Sequence, residues 1–420
     1  MVQEKSAKRT RAALVAVIAG VLSLGAGTAH AQWAQLGGPN RDFTSPSRGL
    51  ATDWPNDGPK SIWSRALGKA YSGIAVDRDT VYTMYRTGDS EVVVALDADT
   101  GATKWEHTYA AAPFKGLDDG YGIAPRSTPL VLADRLITIG ISAQMLCLDI
   151  ASGKVLWSHD LVKEYDATRP RWGYASSALA YKGSIIVPVG GKDHGVIAFD
   201  AKDGSVVWSR HDFPNAYSSP MLIDVDGQEQ IVVLMESAVV GLDPAKGDLL
   251  WSHPHKTDYD VNAAQPVWGD DNILFVSSAY GTGSRGLRLT RSGDRTDVAE
   301  VWTQKKMKVH FGSAIRIGDL IYASSGDNGP VFFSAVNAKT GELAFRHRKL
   351  VAKAQLLYAD GKLIILDEDG HLAIATPLSD GIEIHAKAEL LDKVAWTAPA
   401  LVGKRLYIRD NGKIMALDLG

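Results

Sequence analysis

Cysteine is nearly absent: Cys147 is the only one in 420 residues. That excludes an intrachain disulfide, a CxxC redox pair, a CxxCH haem site and a cysteine-rich zinc site. Cys147 lies in the apolar run Met145-Leu146-Cys147-Leu148, where a thiol acts as a small buried hydrophobe rather than a nucleophile. A basic surplus is missing too. Lys and Arg total 45 against 48 Asp and Glu, for a net charge of -3. A nucleic-acid binder needs cations to neutralise phosphates, so that class is excluded. Helical periodicity is not sustained anywhere, which argues against a parallel α/β architecture. Neither a G-x-S-x-G elbow nor a Ser, His and Asp set can be identified. His253 and His255 are close, but no third zinc ligand follows from the spacing. With 22% charged and 45% hydrophobic residues, the chain is neither disordered nor a multi-span membrane protein.

The first 31 residues stand apart from the rest. Lys5, Lys8, Arg9 and Arg11 precede a weakly apolar stretch over residues 12–27, and Ala29-His30-Ala31 follows. This is the order of a cleavable signal peptide. The apolar stretch falls short of the roughly 20 residues needed to span a bilayer. Export with cleavage after Ala31 is expected, leaving no transmembrane segment in the mature chain. No cysteine sits at the cleavage point to take a lipid.

What the remainder does contain is a repeat. Asp97-Ala98-Asp99-Thr100-Gly101 leads to Trp105, Asp149-Ile150-Ala151-Ser152-Gly153 to Trp157, and Asp200-Ala201-Lys202-Asp203-Gly204 to Trp208. Asp243-Pro244-Ala245-Lys246-Gly247 leads to Trp251. A stretched copy ends at Trp302, and another at Phe345. A degenerate copy carries Thr376, Gly381 and Ile384, and the chain stops at Asp418 inside an eighth. The Asp or Asn bonds turn amides, the Gly closes the hairpin in a left-handed conformation, and the aromatic packs against a neighbouring sheet. Successive aromatics from Trp63 to Phe345 lie 42 to 52 residues apart, the length of a four-stranded propeller blade. Short apolar runs upstream of each turn, such as Arg135-Leu136-Ile137-Thr138-Ile139, supply the other two strands.

The expected fold is therefore all-β, an eight-bladed propeller of four-stranded antiparallel blades over residues 59–420. An extended segment, residues 32–58, precedes it. The last copy lacks its aromatic strand, and an orphan one, Ser61-Ile62-Trp63, stands near the start. It is expected to complete the last blade and seal the ring, which removes exposed sheet edges. Seven blades remain the alternative if the copy near Gly381 is not a blade. Trp63, Trp105, Trp157, Trp208, Trp251, Trp302 and Phe345 are the expected blade-docking residues.

The repeat A-x-D-x-x-T-G-x-x-x-W, read from Ala95 to Trp105, resembles that of the pyrroloquinoline-quinone-like (PQQ-like) propellers of the quinoprotein alcohol-dehydrogenase superfamily. The opening Trp33-Ala34-Gln35-Leu36-Gly37-Gly38-Pro39-Asn40-Arg41-Asp42 resembles that of secreted members. The resemblance implies the fold but leaves function open, because the superfamily holds quinone-dependent dehydrogenases and non-enzymatic scaffolds, one of them in the outer-membrane barrel-assembly machinery. Its dehydrogenases typically carry adjacent cysteines, a calcium held by carboxylate and amide oxygens, and an Asp base. None of these has a matching stretch here, so no catalytic residue is carried over.

In a propeller the first strand of each blade lines the central channel. The loops entering those strands are long here, as over residues 106–125, 158–173 and 252–261, and raised loops on a rigid scaffold are where binding concentrates. Aligning the first strands puts Tyr71, Arg126, Ala175, Tyr217, Ala263, Phe311, Lys353 and Trp396 in one column. The preceding column adds Tyr174, Asn262 and His310. Aromatic walls with a few convergent polar groups suit a ligand pocket, and equally suit a plug that staples blades together.

Other patterns reduce to turns. Gly281-Thr282-Gly283-Ser284-Arg285-Gly286 matches GxGxxG but precedes a strand-like run, so the helix end that would cradle phosphate is missing. Asp224-Val225-Asp226-Gly227 and Asp367-Glu368-Asp369-Gly370 sit between strands and lack the rest of a calcium loop. The functional expectation is an exported, monomeric, non-enzymatic propeller. It would bind a protein, small-molecule or glycan ligand in the cell envelope, with no cofactor and no metal. The alternative is a redox enzyme of reduced size that uses PQQ with calcium.

Overall fold

Each repeat begins from the same local chemistry. The Asp97 carboxylate accepts from Asp99 N at 3.1 Å and Thr100 N at 3.0 Å, and the bond from the Thr100 hydroxyl holds it below the usual carboxylate range. Asp149, Asp200, Asp243 and Asn337 cap their turns in the same way. The glycine that closes the turn has positive φ, 71° at Gly101 and 78° at Gly204, where a side chain would be strained.

The computed structural model describes residues 33–327, 329–392 and 394–420. The expected signal peptide, residues 1–31, lies outside them. The described residues form eight sheets arranged as an eight-bladed propeller of four-stranded antiparallel blades, the seventh extended by a parallel strand, Thr44–Ser45. Blades 1 to 7 span residues 75–110, 130–160, 179–210, 221–254, 267–304, 314–348 and 354–389. Blade 8 takes its three inner strands from residues 400–418 and its outer strand from Ser61–Ala66, which pairs antiparallel with Lys413–Asp418. The ring closes as the orphan Trp63 strand implies. The degenerate copy is a true blade, with strands His371–Leu378 and Gly381–Glu389 paired across the turn. The only helix among the described residues is Leu161–Tyr165, N-capped by Asp160. None is long and apolar enough to cross a membrane.

Core packing lies between blades. In every blade the outermost strand pair slips register once, at the residue before the aromatic in seven of them. Such bulges re-aim the side chain that follows. The indole Nε1 of Trp63 then donates to Ala98 O of blade 1 at 2.9 Å, and that of Trp105 to Ile150 O of blade 2 at 3.0 Å. Trp157, Trp208 and Trp302 reach Ala201, Pro244 and Ala338 in the same manner. Each ring lies against the next blade's turn glycine. A Cβ on Gly101 would sit 2.7 Å from the Trp63 ring.

Two joints differ. Blade 5 has ten-residue outer strands, Gly283–Ser292 and Arg295–Gln304, that carry its turn away. Trp251 therefore donates to Gln230 Oε1 at 2.8 Å, and Gln230 Nε2 donates to Thr296 Oγ1 of blade 5 at 2.6 Å. Phe345 has no N–H to give, and Tyr322 OH supplies the cross-blade bond instead, to Leu378 O at 2.9 Å. Cys147 is fully buried in the cluster between blades 2 and 3, and burial pushes its thiol up to about 12.

Trp63→Ala removes the closing joint. It is expected to cost about 3–5 kcal/mol of stability in urea unfolding. Leu156→Ala, at an exposed position on an outer strand, should stay within about 0.5 kcal/mol. Similar losses for the two variants would refute the closing role.

Candidate functional site

Each inner strand is preceded by an extended segment that enters from the long-loop face. Alternation along an extended chain sends residues i and i+2 to one side and i+1 to the other. Tyr71, Arg126, Ala175, Tyr217, Ala263 and Trp396 each stand four residues before their inner strand. With Phe311 and Lys353 they line one central cavity of about 240 Å³. Two residues further along, Gly73, Thr128, Ser177, Ser219, Gln265, Ser313, Gln355 and Ala398 line its deeper wall.

The far end of the channel is closed by the N-terminal segment. Trp33 pairs with Val76 of blade 1, and Val131 N of blade 2 donates to Ala34 O at 2.8 Å. Arg41 donates to Ala178 O beside blade 3 at 2.9 Å, and Tyr358 N of blade 7 donates to Phe43 O at 2.9 Å. Trp33, Leu36, Gly37 and Phe43 face the cavity. The channel is thus a blind cup, with residues 33–43 as its floor.

Aromatic rings make the rim. Tyr71 stacks on Trp396 with centroids 5.3 Å apart, and Phe311 and Tyr121 pack on the same indole at 4.9 and 5.5 Å. Across the mouth Trp172 packs on Tyr217 at 6.0 Å. Trp396 is held from outside by Glu368, whose Oε2 accepts from its Nε1 at 3.0 Å. The Arg126 guanidinium lies 4.9 Å over the Tyr71 ring and donates to Trp172 O and Gly122 O. Burial depresses its pKa below the ordinary guanidinium value. Burial also pushes the Tyr217 and Tyr280 hydroxyls up to about 12, so both stay protonated. The His310 ring is 2.8 Å from Tyr280 OH. Burial, helped by the positive charge of Lys353, pushes it down to about 3, which leaves it neutral.

Of the preceding column only His310 reaches the cavity. Tyr174 and Asn262 do not, which corrects the sequence alignment. The Tyr174 hydroxyl donates to Pro188 O. Asn262 Nδ2 donates to Met235 O, Glu236 O and His255 O, and its Oδ1 accepts from Ser278. One step along an extended chain turns both toward the blade interior. Sequence reasoning missed the lower ring, which the same period-two rule would have given, and missed Tyr121, Trp172 and Tyr280, which come from loops. The GxGxxG stretch runs from a hairpin connection into the strand Gly283–Ser292, and both acidic turns are hairpin connections.

The fold is that of an eight-bladed propeller built from PQQ-like repeats. Residues 88–335 match the family described as outer membrane protein assembly factor BamB, and the chain belongs to that family. BamB from Moraxella catarrhalis is similar over 86% of this chain and 99% of its own, with 18% identity and a TM-score of 0.60. A europium-containing methanol dehydrogenase is similar over 93% of this chain and 98% of its own, at 12% identity and a TM-score of 0.69. In sequence, the quinohemoprotein alcohol dehydrogenase ADH IIB of Pseudomonas putida is 25% identical over 132 residues. That match covers 30% of this chain and only 18% of the enzyme.

The dehydrogenase neighbours raise the question of a quinone with calcium. The residues here do not fit such a pair. Among the described residues, those lining the cavity include no Asp, Glu or Cys, and no group of three or more His, Cys, Asp or Glu could hold a metal ion. Calcium takes six to eight oxygen ligands with carboxylates among them, and the wall offers hydroxyls, amides and two cations instead.

His255, beside Asn262, is likewise pushed down to about 3 by burial. Both imidazoles therefore stay neutral in the fold and would titrate near 6.5 once unfolded. Acidification from pH 6.5 toward 3 protonates the unfolded chain preferentially, and stability falls. The fall in denaturation midpoint between pH 6.5 and 4 is expected to be shallower in a His255→Gln, His310→Gln variant than in wild type. An unchanged slope would contradict the assignment.

Proposed function

We propose that this chain is an exported, non-catalytic propeller of the cell envelope that docks a partner protein through its long-loop face. The observation that carries the reading is the aromatic rim. Tyr121 is 46% and Tyr259 60% exposed, packed edge-on or tilted against Trp396 and Tyr280. Large rings fixed from beneath and open above are the usual anchors of protein interfaces. The family's description as an assembly factor supports a protein partner, and the basic, apolar and small-residue order of residues 1–31 supports export. The acid-free cavity wall weighs against the redox alternative.

The test compares proteins captured from envelope extract by wild type and by a Tyr121→Ala, Tyr259→Ala variant. Loss of two anchors at about 2 kcal/mol or more each predicts roughly 700-fold weaker binding of the specific partner if the two add, and at least about thirtyfold if only one counts. A variant that keeps the same partners at full recovery would sink the assigned face. Dye reduction with alcohols after adding quinone and calcium would sink the non-catalytic reading.

A further inference from the structure

We propose that the blind cup at the centre of the long-loop face binds an acidic sugar, a single uronate-type ring. This rests on the reading of that face as the binding face, and it assigns the cup a ligand distinct from the protein held at the rim.

The hydrogen-bonding inventory of the lower wall points the same way from three side chains. Thr128 N donates to Ser177 Oγ at 2.8 Å, and Ser177 N donates to Ser219 Oγ at 2.8 Å. Each serine hydroxyl is thus fixed by an incoming bond and keeps its own proton to donate. Gln265 is 8% exposed and lines the cup, and its Nε2 donor has no partner. A buried donor without an acceptor is costly, so an acceptor-bearing ligand is what this position wants. The wall is rich in donors and holds no carboxylate among its described residues.

Charge narrows the class. Arg126 reaches only backbone carbonyls and the Tyr71 face, and no carboxylate pairs with it among the described residues. The Lys353 ammonium stands 5.6 Å from the Phe311 ring centroid on the same wall. A ligand here gains from carrying an anion. Shape narrows it further. Rings at the mouth offer flat apolar faces, while the wall below offers hydroxyls and an amide. A flat aromatic acid would cover those polar groups without pairing them, at a desolvation cost. A sugar ring lays its C–H face on the aromatics and pairs its hydroxyls below. The floor at Trp33 and Phe43 stops any chain from threading through, and about 240 Å³ falls below the usual drug-sized site. One ring fits, free or at the end of an acidic polysaccharide.

Calorimetry on the purified protein tests this with glucuronate, galacturonate, trigalacturonate, the neutral sugars glucose and galactose, and benzoate. A uronate should bind at least about tenfold tighter than its neutral counterpart, with affinity falling as salt rises. Arg126→Met should erase that advantage while changing neutral-sugar binding little. Because Arg126 also braces two loops, Gln265→Glu is the second variant. Its carboxylate should weaken uronate binding far more than neutral-sugar binding, since both lose the amide donor but only the uronate meets a like charge. Equal affinity for free and trimeric uronate marks a single-ring site, and tighter trimer binding marks a polymer end. No uronate binding up to about 10 mM, tighter binding of benzoate, neutral sugars bound as well as uronates, or uronate bound unchanged by Gln265→Glu would overturn the proposal. If uronates fail to bind while Tyr121 and Tyr259 still govern partner capture, the cup alone is misassigned. If both fail, the face itself is wrong.

Discussion

A four-stranded blade cannot bury both of its faces, so everything in this molecule depends on how one blade meets the next. The joint is small and repeated: an indole crosses to the neighbour, lies on a glycine, and donates its single N–H to a backbone carbonyl. The glycine is needed twice over. Its φ is positive, and a Cβ on Gly153 would stand 2.4 Å from the Trp105 ring. Because the indole N–H is a donor only, the joint needs a carbonyl within reach, and the Asp-capped turn presents one. Where the turn moves away, in blade 5, an amide relay through Gln230 restores the connection. Where the aromatic has no N–H, at Phe345, a tyrosine hydroxyl takes over the bond. The substitutions differ in chemistry and preserve the same constraint.

That constraint explains how much could be read from the chain. A motif that recurs because geometry demands it is visible as spacing, so the expectation of eight blades and of closure by the Ser61-Ile62-Trp63 strand followed from Trp, Gly and Asp positions. Most of the upper ring of the cup was legible for the same reason, since six of the eight entering segments keep a constant distance from their strands. Tyr174 and Asn262 were misplaced because alignment fixes position along a strand and not which side a neighbour faces. The floor was not legible at all. Residues 33–43 carry no repeat, and they bond main-chain groups of blades 1, 2, 3 and 7 that lie far away in sequence. Main-chain partners leave no trace in residue type.

The cup is a consequence of the fold before it is a site. Eight strands converging on an axis leave a hole, and a plug of side chains is the cheapest way to fill it. Here the filling comes from one end only. Trp33, Leu36 and Phe43 close the bottom, while Ala175 and Ala263 in the upper column and Gly73 and Ala398 in the lower one keep the middle open. Large rings in the other upper positions lean on one another and on the walls, as Tyr71 does on Trp396.

Within a superfamily that shares this ring, what separates redox catalysis from binding is the donor set around the axis. Carboxylates would draw in a cation and fix a base. The lining here carries Arg126, Lys353, serines and glutamines and no Asp or Glu among its described residues, a donor set suited to an acceptor-bearing ligand. His310 is a weak base there, because burial and the neighbouring ammonium push its pKa down to about 3 and its ring is engaged by Tyr280. Under the proposed reading, this donor set holds an acceptor-rich ligand at the axis.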